Sequence, residues 1–414
     1  MNKNRAFNLL KKMEFTRIGG TAEELKCANM LADEIKKSGL TPSIEPFAVN
    51  SQTITKAKLI ADGQEYPCVA YGNCGSTPKE GLTAEFYYLE NFADIAVAKL
   101  RSKGKIVLTN GYMGIDSYKK LIECGAVGFV TFGGDVLDKQ AQTDLMTREL
   151  RQPLKDVAVL QGVNIRAASA MKLVKQNPKN ITLIVEQKEE QVNSHNVVAK
   201  IKGDLDETIV FTAHYDSVDF SKGVYDNGAG SVIIMELFHY FCEHTPRRNL
   251  VFIWCGSEER GLLGSKAYVQ QHKDELDKYV LCVNVDVGAP VLGREEAVVM
   301  ADVSLANYVD YFAKEIGHTI RVTSDIYSSD SIPFADAGVP GINFMRNGAS
   351  GCSHIHDRFD TMKFLSAEAL AKTGEFTQLV ANKLVNAFAF PVPKAIPDDI
   401  KTKIDKYLGK EVKK

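Results

Sequence analysis

The second half of the chain repeats one pattern, a run of apolar residues long enough for a strand followed by a stretch of helical periodicity. From about Ser194 onward the apolar runs are TIVFTAH (208–214), NLVFIWC (249–255), YVLCVNVD (279–286) and GINFM (341–345). Helices are predicted over 228–243, near 262–273, near 304–316 and over 366–387. A strand that is apolar at nearly every position has no face for water, so it belongs in a sheet covered on both sides. The fold class expected is α/β, a mainly parallel sheet sandwiched by helices.

Earlier in the chain, residues 20–40 predict an amphipathic helix with Leu25, Ala28, Leu31 and Ile35 on one face, Thr21 as its cap and Gly39 as its stop. A strand, SIEPFAV, follows. From about residue 53 the texture changes to short strands (KAKLIA, AEFYYL, GKIVLT, AVGFVTF), with helices at 117–123 and 164–176, and ITLIVEQ closes the segment. Residues 1–52 and 190–414 are therefore read as one domain and 53–189 as a β-rich insert. A chain of 414 residues exceeds what one hydrophobic core ordinarily supports. The opening MNKNRAFNLLKKMEF holds only a short apolar stretch, so no leader is visible, and the tail after Pro391 reads as a solvated terminus.

Composition narrows the partners. The 50 basic and 52 acidic residues give a formal net charge of -2, which offers nothing to nucleic acid or to an anionic membrane. No apolar run approaches the roughly 20 residues of a membrane span. The eight cysteines follow no paired rhythm, and Cys255 and Cys282 sit inside apolar strands. Free buried thiols in a reducing compartment, the cytoplasm, are the expectation.

Candidate chemistry gathers where the strands end. His214-Tyr215-Asp216 closes one apolar run, Ser257-Glu258-Glu259 follows the next, and Asn284-Val285-Asp286 closes the third. Open α/β sheets place ligand sites outside the carboxyl ends of their strands. Asp226, opening a helix in VYDNGAG, and His356, in CSHIHDRFDT, lie on loops. Imidazole and carboxylate without thiolate suit a catalytic zinc site rather than a structural one. Five ligands with one shared carboxylate serve two ions, which lower the pKa of water and polarise a carbonyl. A further carboxylate must then move the proton, and the adjacent Glu258-Glu259 pair supplies one ligand and one base.

At these positions the chain resembles the di-zinc aminopeptidases of metallopeptidase family 28. The motifs run in order: H-x-D at His214–Asp216, D-N-G-A-G at Asp226–Gly230, S-E-E-x-G-L-x-G-S at Ser257–Ser265, N-x-D at Asn284–Asp286 and H-x-x-x-D-T at His356–Thr361. Residues 17–50 are similar to the family's N-terminal helix region. The resemblance implies that Asp226 bridges two zinc ions, His214 and Asp286 complete one site, and Glu259 and His356 complete the other. It implies Glu258 as general base and acid, and Asp216 as the group that holds the His214 ring. A cis peptide within the Asp226-Asn227 segment is also implied. The 53–189 insert is similar to a protease-associated domain, on GKIVLTNG, CGAVGFVTFGG and GVNIRAASAMKLV, and such inserts shape substrate access. The expected reaction is release of N-terminal residues from peptides with a free amine.

Two departures stand out. Ser331 occupies the histidine position of the family's S-D-H-x-P-F, and Ile355 replaces the tyrosine that in some relatives donates to the oxyanion. A missing oxyanion donor costs about 2.7–4 kcal/mol, so another group must substitute, with Tyr225, Tyr327 and Arg346 the nearest by sequence. His354 competes with His356, and the spacing to Asp360-Thr361 favours His356. The alternatives are a relative with other chemistry (a carboxypeptidase or a glutaminyl cyclase) or a non-catalytic binding protein on the same fold.

Overall fold

The structure, a computed structural model, describes residues 1–111, 113–137, 145 and 148–410. The chain divides into two compact units, one of Met1–Val49 with Val192–Lys414 and one of Asn50–Gln191.

In the first unit the strands Gly341–Gly348, Tyr279–Val285, Leu205–His214 and Arg248–Cys255 lie side by side and parallel. Antiparallel neighbours flank them: Gly293–Met300 beyond Gly341–Gly348, and residues 197–201 beyond Arg248–Cys255. Arg321–Ser324 pairs parallel to Gly293–Met300. The unbroken apolar runs are explained by two buried clusters. Ile209, Phe211 and Ala213 join Phe252, Trp254, Leu281 and Val283 in one. Val210 joins Val251, Ile253, Cys255 and Cys282 in the other. Alternate side chains of each strand thus enter different layers, and both layers are dry.

Helices fall where the periodicity placed them, at Ala22–Lys36, Ala229–Glu243, Leu263–Gln271, Val303–Glu315 and Ala367–Asn386. Thr21 caps the first by accepting from the Glu24 N–H. Leu25, expected on its buried face, is 37% exposed, and Cys27 and Ala32 pack inward with Ala28, Leu31 and Ile35.

Several expectations need correction. The opening segment, read only as a leader candidate, is a helix, Lys3–Lys12, with Ala6, Leu9 and Leu10 buried and Met13 just past it. The strands Gly293–Met300 and Arg321–Ser324 were not foreseen; Glu295, Glu296 and Arg321 break their apolar runs. The tail is not simply solvated: Asp398–Tyr407 is a helix whose Ile400 and Ile404 bury against Leu262, Met300 and Ile332. The last four residues of the lysine-rich end lie outside the described residues.

The second unit has its own core. Leu82–Leu89, Ile106–Thr109, Gly128–Gly133 and Gly162–Arg166 run parallel in that order. Residues 180–183 and the short Cys68–Ala70 close the two edges antiparallel. The helix expected over 164–176 is a strand through Arg166 and a helix only over Ala167–Gln176. Gly162 is needed there because a Cβ would stand 2.1 Å from the Phe129 ring. Among the described residues no helix is long and apolar enough to cross a membrane, and all eight cysteines are unpaired.

Candidate metal centre and active site

Register explains why distant residues meet. Cys255 pairs with His214, so Glu258 and Glu259 emerge just past the end of the neighbouring strand. Asn284 pairs with Thr212, which puts Asp286, two residues on, level with His214, two residues beyond Thr212. Below them Thr212 donates to Asn284 and Asn284 to Asn343, a polar row that ties three adjacent strands at one level.

The closest contacts centre on Asp226. Its Oδ1 lies 3.1 Å from His214 Nε2 and its Oδ2 lies 2.9 Å from His356 Nε2. His214 Nε2 is also 3.5 Å from Asp286 Oδ1, and His356 Nε2 is 3.0 Å from Glu259 Oε2. One carboxylate therefore faces a different imidazole with each oxygen, and each imidazole Nε2 has a further carboxylate oxygen within 3.5 Å. Glu258 Oε2 is 3.9 Å from His214 Nε2. His354 turns instead to Asp357, at 3.0 Å, so His356 is the histidine brought to Asp226 and Glu259. His214, Asp226, Glu258 and Asp286 are buried, whereas the His356 side chain is 47% exposed and faces the solvent side.

Loop geometry delivers these groups. Asp216 accepts from the Glu258 N–H at 3.0 Å and the Glu259 N–H at 3.3 Å, and its Oδ1 is 3.5 Å from His214 Nδ1. One carboxylate thus orients an imidazole and both glutamates. Asn227, joined to Asp226 by a cis peptide, donates to the Val285 carbonyl and accepts from the Val287 and Gly230 N–H groups. That locks the Asp226 turn to the strand carrying Asp286. Asp360 accepts from the Tyr225 and Asp226 N–H groups at 2.8 and 3.1 Å. The motif contained Asp360, but no role was read for it, because an acceptor of main-chain N–H groups leaves no signature in spacing.

Burial dominates the proton affinities. It pushes Glu258 well above the usual carboxylate range, with Asp330, Glu259 and Asp286 adding and His214 opposing. Burial likewise raises Glu259 and Asp286. Burial would lower His214, but Glu258, Asp216, Asp226 and Asp286 overcome it and hold the ring well above its ordinary value. Burial would raise Asp226, and the hydrogen bonds from His214 and His356 bring it down instead.

Does this donor set fit metal ions? Donors 2.0–2.1 Å from a tetrahedral zinc stand about 3.3 Å from one another. The separations about each histidine, 2.9–3.5 Å, bracket that value. Buried carboxylates outnumber the two imidazoles, and Asp286 Oδ1 is buried without a hydrogen bond. Divalent cations would neutralise that surplus. His214, Asp226 and Glu259 offer ligand atoms all within 4.8 Å of one another. The residues fit a metal site.

The remaining candidates separate cleanly. Arg346 is occupied, donating to Glu295 at 2.8 Å and to the Pro290 and Val291 carbonyls. The Tyr225 hydroxyl accepts from the Gly348 N–H at 3.1 Å. The Tyr327 hydroxyl is pushed up by burial and then by Asp286 and Asp226. Ser331 is buried against Ser329, and Ile355 is half exposed. Asp219 accepts from the Phe220 N–H in its own loop. His244 and His272 stack on Tyr240 and Tyr268, and His239 meets Ser38.

Comparisons with known proteins point the same way. Residues 196–381 match Peptidase family M28. Aminopeptidase YwaD of Bacillus subtilis (strain 168) is 28% identical over 405 residues, covering 94% of this chain and 85% of that protein. Carboxypeptidase Q of Xenopus laevis is 25% identical over 317 residues, covering 70% of this chain and 65% of that protein. The structure of BSAP, a zinc aminopeptidase from Bacillus subtilis, superposes with a TM-score of 0.77 at 24% identity, over 96% of this chain and 98% of that one. The ordered motifs and the match of residues 196–381 make that part of the chain similar to peptidase family M28, and the fold is shared with the solved structure.

Proposed function

We propose that the protein is a zinc-dependent aminopeptidase that hydrolyses N-terminal residues from peptides. The observation that carries this reading is the arrangement of Asp226, with one oxygen toward His214 and the other toward His356 and with Glu258 alongside. Asp226 would be shared between two ions, with His214 and Asp286 holding one and Glu259 and His356 the other. When bound, the two ions supply Lewis acidity and lower the pKa of a water.

The chain's own groups do the rest. Glu258, a carboxylate whose proton affinity is raised by burial, takes the proton from the attacking water and returns it to the leaving amine. Asp216 holds the His214 ring and presents both glutamates. The carboxylates, Glu258 among them, receive the substrate's free amine. Tyr327 is the group assigned to the oxyanion, because Ile355 offers no donor and Tyr225 and Arg346 are engaged. Residues 53–189 are read as a protease-associated insert, supported by the separate core of that unit.

The test is metal analysis with an aminoacyl-anilide assay. Two zinc ions per chain are expected, with turnover that disappears when the substrate's amine is acetylated. Equal cleavage of blocked and free substrates would remove the exopeptidase assignment, and a metal-free, inactive protein would favour a binding role. The relative named Carboxypeptidase Q raises a second reading. That activity needs a cation for the substrate's terminal carboxylate, and Arg346 is committed to Glu295.

A further inference from the structure

We infer that the segment 17–24 is a positioning clamp for the metal centre, in which Arg17 sets the loop between His214 and Asp226 and Glu24 sets the turn that presents Glu258 and Glu259. The inference rests on the proposed reading of those residues as ligands and base.

Arg17 is fully buried. Its guanidinium donates to main-chain carbonyls, those of Met13 and Phe15 on its own side and those of Tyr215, Lys222 and Gly223 across from it. The main chain adds two bonds, Arg17 N–H to Ser217 Oγ at 2.9 Å and Ser217 N–H to the Arg17 carbonyl at 3.1 Å. The 215–223 loop is thus held at both ends and near its start, and His214, Asp216 and Asp226 flank or belong to it. Gly223 has a left-handed φ of +57°, and a Cβ there would come within 2.6 Å of the Ser217 side chain and 2.9 Å of the guanidinium. A planar fork of five donors matches this crowd of carbonyls; an ammonium does not.

Glu24 is also fully buried. It accepts from the Ser194 hydroxyl, from the His195 N–H at 3.4 Å and from the Gly20 N–H at 2.9 Å. Ser194 in turn accepts from Ser257 Oγ at 2.8 Å. Ser257 has a left-handed φ of +51° and immediately precedes Glu258. The approach is close: a Cβ on Gly256 would stand 2.3 Å from Glu24 Oε1, and one on Gly19 would stand 2.0 Å from Ser257 Oγ. The turn 256–259 is therefore gripped from one side by Glu24 through two serines and from the other by Asp216. These contacts gather on the two loops that deliver ligands. Without them the loops would have to order when an ion binds, and affinity would fall.

The experiment titrates zinc into full-length apoprotein in competition with a chromophoric chelator. Outer partners of metal ligands typically change affinity by about 10–100-fold, and that loss is expected for Arg17→Lys and for Glu24→Gln. Ser194→Ala, which breaks only the serine relay, should weaken zinc by a smaller factor. Arg248→Lys is the control, since Arg248 is equally buried but donates to the Leu384, Val385 and Ala387 carbonyls at the end of the helix Ala367–Asn386. It should lower the melting temperature and leave zinc affinity unchanged. Folded Arg17 and Glu24 variants that bind zinc within twofold of the parent, or an Arg248 variant that weakens zinc equally, would overturn the clamp. Should the first two variants not fold, unchanged affinity in Ser194→Ala overturns it. A parent protein that takes up no zinc would instead sink the ligand assignment itself.

Discussion

Asp360→Asn isolates the support beneath Asp226. The Asp360 side chain is fully buried, and its two oxygens accept separately from the Tyr225 N–H at 2.8 Å and the Asp226 N–H at 3.1 Å. An asparagine keeps the volume but offers one acceptor, so its NH2 group must oppose one of those two N–H groups. A buried N–H left without an acceptor costs about 1–3 kcal/mol. Relief comes only by moving Tyr225 or Asp226, and a displaced Asp226 no longer faces both histidines. Zinc affinity should therefore fall about 10–100-fold, equivalent to about 1.4–2.8 kcal/mol. The pH dependence adds a second signature in the metal-free protein. Burial pushes Asp360 up to about 7. Between the unfolded value of about 3.9 and pH 7 the native state holds a proton that the unfolded chain has released. This group's stabilisation is thus complete below the unfolded value and is lost as pH rises, by about 1.4 kcal/mol per unit, levelling off above pH 7. Asparagine does not titrate, so the stability gap between parent and variant should be widest near pH 4 and narrowest at pH 7. Zinc titration and chemical denaturation of the apoproteins at pH 5 and 7 measure both effects. A variant with the parent's zinc affinity and a stability gap independent of pH would refute the reasoning.

Glu258→Gln should lower kcat by about 10²–10⁴-fold while zinc content stays at two per chain; loss of an ion would make Glu258 a ligand instead. Tyr327→Phe should cost about 10²–10³-fold in kcat with KM little changed, and full activity would return the oxyanion donor to the unknown. Chelation should lower the thermal midpoint, since zinc at about 100 times its Kd stabilises by about 2.7 kcal/mol; calorimetry with and without chelator that gives one midpoint would contradict a bound metal. Ile404→Ala should destabilise by about 2–5 kcal/mol because Ile404 is buried with Ile400 against Leu262 and Ile332. A change under about 0.5 kcal/mol in denaturation would mean the terminal helix is not packed.

Much of the site was legible because its residues mark the ends of apolar strands. A charged or imidazole residue after TIVFTAH or NLVFIWC leaves a dry layer at one point, and strand register then brings such points together. His356 was harder to read, since it sits on a loop beside His354 and only the fold turns one toward Asp226 and the other toward Asp357. The groups beneath the candidate ligands were not legible. Arg17, Glu24 and Asp360 act on main-chain N–H and C=O groups, which every residue carries, so no spacing announces their partners.

The elements missed share a physical cause as well. Lys3–Lys12 and Asp398–Tyr407 each show water a mostly charged face, so few apolar positions reveal them, and their helices are stabilised by packing on a distant surface. Gly293–Met300 and Arg321–Ser324 carry charged residues because they lie toward the sheet's edge.

The amino-acid order alone determined the layered α/β unit, the interruption of that unit by a second one, and the residue types able to hold cations. These follow from local periodicity and from chemistry at strand ends. Only the tertiary structure decided which oxygen of Asp226 faces which histidine, which carboxylates orient the ligand loops, and that the terminal segments are packed helices. Those outcomes depend on contacts between residues up to hundreds of positions apart, whose distances are set by the packing of the whole unit rather than by any stretch of chain.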